Sequence, residues 1–182
     1  MPETGHRDFA LRQFPGTLPL LSLEISGNIQ RQGRRLGIRS RVSGPLGEVL
    51  IPGAAALPER RDGLWEETCF EFFLAIKGTP RYWEFNLSPA GHWNVYRFSA
   101  YRQGMAEEQA FRALPFSVGS GSGSLLLALE LDLAGIVKTD QALEAAIAAV
   151  IKLKRGGKTY WALAHPGPQA DFHHRQGFSI AL

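Results

Sequence analysis

This chain has little sulfur, no long apolar run and almost no charge imbalance. Cys69 is the single cysteine among 182 residues, so no intramolecular disulfide forms. No His or Asn is tied to Cys69 by a motif, and it reads as a small half-buried residue rather than a nucleophile. No apolar run approaches the roughly 18 residues of a membrane span. The first sixteen residues, MPETGHRDFALRQFPG, lack the apolar core of a secretory signal and read as an extended lead-in. A cytoplasmic location without membrane contact is expected. The net charge is +3. Arg31, Arg34, Arg35, Arg39 and Arg41 cluster, but on what reads as the exposed face of one hairpin, without the wide, aromatic-studded basic surface of a nucleic-acid site. No nucleic-acid partner is expected.

Enzyme signatures are missing as well. There is no nucleophile elbow, no phosphate loop and no dinucleotide fingerprint. Gly119, Gly121 and Gly123 stand at spacing two, but they follow a short strand and open no helix. No pair of histidines has the spacing of a helical zinc site, and His173 and His174, adjacent on an extended segment, point in opposite directions. His165, Asp171, His173 and His174 therefore read as a hydrogen-bonding loop. No metal and no cofactor is expected. Glu66, Glu67, Glu71 and Glu84 are the carboxylates available for glycoside hydrolysis, a chemistry that needs two of them at a defined separation which sequence does not supply.

What the chain does have is alternation. In LWEETCFEFFLAIKGTPRYWEFNLSPAGHWNVYRF, Trp65 to Phe98, apolar residues recur at spacing two: Phe70, Phe72, Leu74 and Ile76; Trp83, Phe85 and Leu87; Trp93 and Val95. Period two is the mark of a strand with one face inward. Lys77-Gly78-Thr79-Pro80 and Ser88-Pro89-Ala90-Gly91 separate the runs with turn residues, so three consecutive antiparallel strands are expected. The opposite parity carries Glu71, Glu84, Asn86, Asn94 and Tyr96, a polar set suited to holding hydroxyl groups. With Asn86 across from Asn94 and Glu84 across from Tyr96, these form one patch. Trp83 and Trp93 fall on the core parity. Pro89 and Gly91 predict a turn with Gly91 at positive φ.

Elsewhere, Leu21, Leu23 and Ile25 mark a strand over 19–30. After a turn at 31–34, a second strand returns over 36–42, and a short one follows at 49–51. Residues 52–63 form a loop. Residues 105–111 suit one or two helical turns, and 119–124, GSGSGS, reads as a hairpin tip within the same domain. The Ala-rich segment 146–154 and Tyr160-Trp161-Ala162 flank a Gly-Gly turn and read as a hairpin. Phe178 to Leu182 is a final strand. The expectation is one all-β domain over 1–182: an antiparallel two-sheet β-sandwich of jelly-roll or immunoglobulin-like kind, with little helix.

Three segments carry a resemblance: Glu67 to Phe73, Tyr82-Trp83-Glu84-Phe85-Asn86-Leu87-Ser88-Pro89-Ala90-Gly91, and Trp93 to Phe98. Together they resemble the DOMON-like domains and are similar to the related family-nine carbohydrate-binding modules. Tyr160 to Pro166 with Asp171-Phe172-His173 looks like the stand-alone bacterial members. The resemblance spans about residues 20–182. It implies a β-sandwich that binds a sugar or, in some members, haem held by a Met and a His; Met105, His165 and His92 are the residue types on hand here. It also supports a non-catalytic module for a small polar ligand, a carbohydrate foremost; the shared parity of Glu71, Glu84, Asn86, Asn94 and Tyr96 makes their face the expected site, with Arg97 or His165 beside them. A protein-interaction module without a small ligand is the competing class.

Overall fold

The computed structural model describes residues 5–16, 18 and 21–182. Thirteen strands form two antiparallel sheets, with three short 3-10 turns and no α-helix among the described residues. The five-stranded sheet contains β1 (Gly5–Ala10), β3 (Glu24–Gln32), β4 (Arg35–Ser43), β10 (Ser124–Asp132) and β9 (Phe116–Gly121), in the order β1-β3-β4-β10-β9. The other has the order β2-β12-β11-β5-β6-β7-β8. Its members are β2 (Arg12–Gln13), β12 (Lys158–Ala162), β11 (Leu143–Lys152), β5 (Cys69–Ile76), β6 (Tyr82–Leu87), β7 (Trp93–Phe98) and β8 (Ala106–Glu107). An eighth member, β13 (Ile180–Ala181), also pairs β11. The N-terminal segment is thus no mere lead-in. β1 pairs β3 in one sheet, the chain switches at Leu11, and β2 pairs β12 in the other.

Alternation builds the core between the sheets. Ile25, Ile29, Leu36, Ile38 and Val42 from one sheet meet Phe70, Phe72, Trp83, Phe85, Leu87 and Val95 from the other, all at most 4% exposed. Phe72 and Phe85 stack at 4.2 Å between centroids. Each such side chain contributes about 1.5–3 kcal/mol through burial. The Ser88–Gly91 turn has the expected form: Gly91 N–H donates to Ser88 O at 2.9 Å, and Gly91 sits at φ 96°.

The far side of the eight-stranded sheet is apolar too. Phe73, Tyr82, Phe98, Phe178, Ala146 and Ala148 form a second buried cluster, with Trp65 and Phe172 packed against it. Every residue of β6 is therefore buried, on both parities. Loops seal this face, and each is pinned. Arg60 donates to Asn94 Oδ1 at 2.8 Å and to Phe111 O at 2.7 Å. Arg102 donates to Asp171 Oδ1 at 2.8 Å, and Arg175 to Glu144 Oε2 at 2.6 Å. The five-stranded sheet leaves its outer face open.

Several boundaries differ from the sequence expectation. The strand expected from Pro19 begins at Glu24; Pro19 and Leu20 lie outside the described residues. Residues 49–51 form no strand: Val49 makes one isolated bridge to Leu153 after a 3-10 turn at Leu46–Glu48. Residues 105–111 hold the two-residue β8 in place of a helical turn, because Tyr96 and Arg97 offer a free edge to Glu107 and Ala106. β11 starts at Leu143, three residues early, since pairing with β5 overrides the helix propensity of its alanines. Arg31, expected on an exposed face, is 8% exposed and donates to the carbonyls of Gly33 and Gln141 at 2.8 and 2.6 Å.

Candidate functional site

The register unites the five polar residues of the β5–β7 meander. Glu71 lies opposite Asn86, Asn86 opposite Asn94, and Glu84 opposite Tyr96. They share the face turned away from the main core, and all five are buried, at most 4% exposed. Asn86 donates to Glu84 Oε1 at 3.0 Å. Asn94 donates to Tyr96 Oη at 2.9 Å and to Glu107 Oε1 at 3.1 Å, and Tyr96 donates to Asp62. Two buried acceptors, Glu71 Oε1 and Asn86 Oδ1, have no protein partner among the described residues. Neither of the concavities described below includes any of the five.

Burial dominates the electrostatics of this cluster. It drives the Glu84 carboxyl up to about 7, against the opposing pull of the Asn86 amide and Arg102. Burial and the neighbouring Glu84 raise Glu71 well above the carboxylate range, only partly offset by Lys158. Burial thus favours the protonated form of both carboxyls. His173, read from the sequence as part of a hydrogen-bonding loop, lies against this cluster. Its Nδ1 lies 2.8 Å from Tyr82 Oη and its Nε2 3.6 Å from Glu84 Oε2. Burial, aided by Arg102, lowers its pKa to about 4, so the contact with Glu84 is not an ion pair at neutral pH. Cys69 is fully buried beside Glu71, and burial raises its thiol well above the ordinary value.

Two expected neighbours lie elsewhere. Arg97 pairs Trp83 in a ladder that runs unbroken from Leu87–Trp93 to Tyr82–Phe98, so no bulge turns it. It stays on the Val95 parity and is exposed. His165 follows β12, which β11 and β5 separate from β6; it hydrogen-bonds Arg12 O at 2.8 Å and packs edge-on against Phe14. The haem-ligand types are dispersed: Met105 is half-exposed beside β8, and His92 accepts from Glu59 N–H in the turn at the other end of β7. Glu66 and Glu67 pair with Lys158 and Lys152. Among the described residues no three His, Cys, Asp or Glu gather as metal ligands.

A different surface is open. The outer face of the five-stranded sheet forms a concavity of about 900 Å³. Three cross-strand rows line it: Gln32–Arg35–Asp132, Gln30–Gly37–Glu130, and Asn28–Arg39–Ala128–Ser117. Rows on one face are about 7 Å apart along a strand. Gly37, without a side chain, sits mid-floor between Gln30 and Glu130, with Arg35 and Arg39 in the neighbouring rows and the Gln30 side chain against it. A Cβ on Gly37 would stand 3.3 Å from the Gln30 side chain. Pro115 and Phe116 add an apolar rim. Donors, acceptors and a flat floor on one concave face suit a polyhydroxylated ring. The sequence held one signal of this surface: a glycine inside a strand pattern marks close approach by another group. A smaller hollow of about 200 Å³ lies by Leu23, Glu48 and Arg155.

These features define a β-sandwich with one buried polar cluster and one open polar face. The fold is shared with proteins of known structure. A proposed carbohydrate-binding protein from Bacteroides uniformis aligns with 96% of this chain and 85% of its own, at a TM-score of 0.73 and 17% identity. A family-nine carbohydrate-binding module from Caldicellulosiruptor kristjanssonii, in complex with cellotriose, aligns with 86% of this chain and 72% of its own, at a TM-score of 0.51 and 10% identity. Neither a protein-family model nor a curated protein sequence matches the chain.

Proposed function

We propose that this protein is a non-catalytic carbohydrate-binding module, and that its ligand seats on the outer face of the five-stranded sheet over Gly37. The observation that carries this is the concavity of about 900 Å³ with Gln30, Glu130, Arg35 and Arg39 around a glycine floor. Its volume falls within the range of small-molecule sites. The sandwich fold, on which the Caldicellulosiruptor module holds cellotriose, and the DOMON-like resemblance of the sequence support the same reading. Asn94 and Tyr96 then act as internal anchors of the loop at 60–62, with Glu84 and Asn86 bonded to each other and Glu71 buried beside them. Their burial, at most 4% exposed, supports an internal role.

The test is a glycan and small-sugar screen read by thermal shift on the wild type and on Gly37→Val. A ligand at about 100 times its dissociation constant adds about 2.7 kcal/mol of stability, which is about 5–10 °C for a chain of this size. Gly37 has no positive φ, and Val favours strands. Gly37→Val is therefore expected to keep the fold, the Gln30 side chain shifting to admit the new methyls, while losing the ligand shift. A screen in which no sugar moves the wild type, or an undiminished shift in Gly37→Val, refutes the site.

A further inference from the structure

The four sheet margins are not alike. β2 and β8 end the eight-stranded sheet with two residues each, too short to template a partner. β1 ends the five-stranded sheet with the exposed charged residues Arg7 and Asp8 and the exposed imidazole of His6. β9 ends it with Phe116-Ser117-Val118-Gly119-Ser120-Gly121, six residues without a charge or a proline. Among the described residues β9 pairs β10 on one side only, and Ser117, Gly119, Ser120 and Gly121 are exposed. Natural sheets blunt their free edges with charge, proline, bulges or brevity, and this edge has none of those devices.

We propose that β9 is a homodimer interface. Two copies join edge to edge, antiparallel, about a twofold axis through Gly119. In that register Gly119 faces its own counterpart, Ser117 faces Gly121, and Val118 faces Ser120, each pair with side chains on the same face of the joined sheet. A second copy is the occupant the edge fits. The strand meets itself without like charges, and glycine against glycine lets the backbones close. The register also keeps both concave faces on one side of a continuous ten-stranded sheet. Ser117 belongs at once to the edge and to the lining of the concavity, so the two concavities become neighbours across the axis. A six-residue edge is about 20 Å long and buries less than a standard interface, so the dimer is weak and concentration-dependent.

Gly119 supplies the test, because a residue on the axis meets itself. A Cβ there touches nothing within 4 Å, so Gly119→Lys and Gly119→Glu keep the fold. Sedimentation of the wild type between about 10 µM and 1 mM, the range of a weak transient interface, is expected to show a monomer–dimer equilibrium. Each charged variant is expected to stay monomeric, and an equimolar mixture of the two to recover the dimer. In the wild type, hydrogen-exchange protection of the β9 amides should rise with protein concentration. A wild type that is monomeric throughout, a charged variant that dimerises as the wild type does, a mixture that stays monomeric, or β9 protection independent of concentration each overturns the proposal.

Discussion

Replacing Glu84 with Gln is expected to make the protein more stable at alkaline pH and to leave it unchanged at acid pH. Burial raises the Glu84 carboxyl from 4.5 to about 7 in the folded state. A tenfold change in proton affinity is about 1.4 kcal/mol, so the linkage is about 3 kcal/mol. The folded protein binds this proton more tightly than the unfolded chain does. The contribution is therefore fully present below about pH 4.5 and is lost as pH rises through 7. Glutamine does not titrate, and its carbonyl still accepts from the Asn86 amide, 3.0 Å from Glu84 Oε1 in the wild type. Urea unfolding of both proteins at several pH values gives the difference directly, and titrations common to both cancel. The variant should match the wild type near pH 4.5 and exceed it by about 3 kcal/mol at pH 8, or about 6–12 °C in melting temperature. Parallel pH curves would refute the reasoning. So would a variant that weakens at neutral pH, because that result requires Glu84 to be ionised and paired with a protonated His173.

Two further outcomes follow from packing. Phe85→Ala removes a fully buried ring that stacks on Phe72 and meets Phe111 edge-on; a loss of about 3–5 kcal/mol is expected in chemical denaturation. Arg31→Ala strips donors from the carbonyls of Gly33, Lys138, Thr139 and Gln141 and should cost about 3–4 kcal/mol, with Arg31→Met failing to restore it, since a thioether donates no hydrogen bond.

The β5–β7 meander was legible because its signals are local. The period of two, the turn residues and the Pro89–Gly91 pair fix the strands and their register, and with them the meeting of Glu71, Glu84, Asn86, Asn94 and Tyr96. The sequence did not reveal that the face is covered. Phe73, Tyr82 and Phe98 share the parity of the polar residues, and their burial depends on Phe172, His173 and Phe178, which join them from some 75 to 105 positions further along the chain. A chain that alternates apolar with mixed residues looks the same whether the second layer is solvent or loop. Arg39 and Glu130 were invisible as a pair for a related reason. They lie 91 positions apart in sequence and line one concavity only because β10 returns beside β4, and charged residues on an exposed hairpin face read as solvation.

The backbone of Gly5 lies against that of Leu182, with the site of a Cβ on Gly5 3.9 Å from Leu182 Cα. In space the described strands form a loop with a narrow gap, and a short linker closes the gap. The tip between β9 and β10 can then be opened in its place, since loop tips and adjacent ends tolerate such rewiring. The rearranged chain keeps every strand pairing, but the β9–β10 hairpin becomes the most distant pair in the sequence. Folding rate falls as contacts become non-local, whereas the packed core between the sheets stays the same. The present strand order therefore sets how quickly this sandwich forms far more than how firmly it holds.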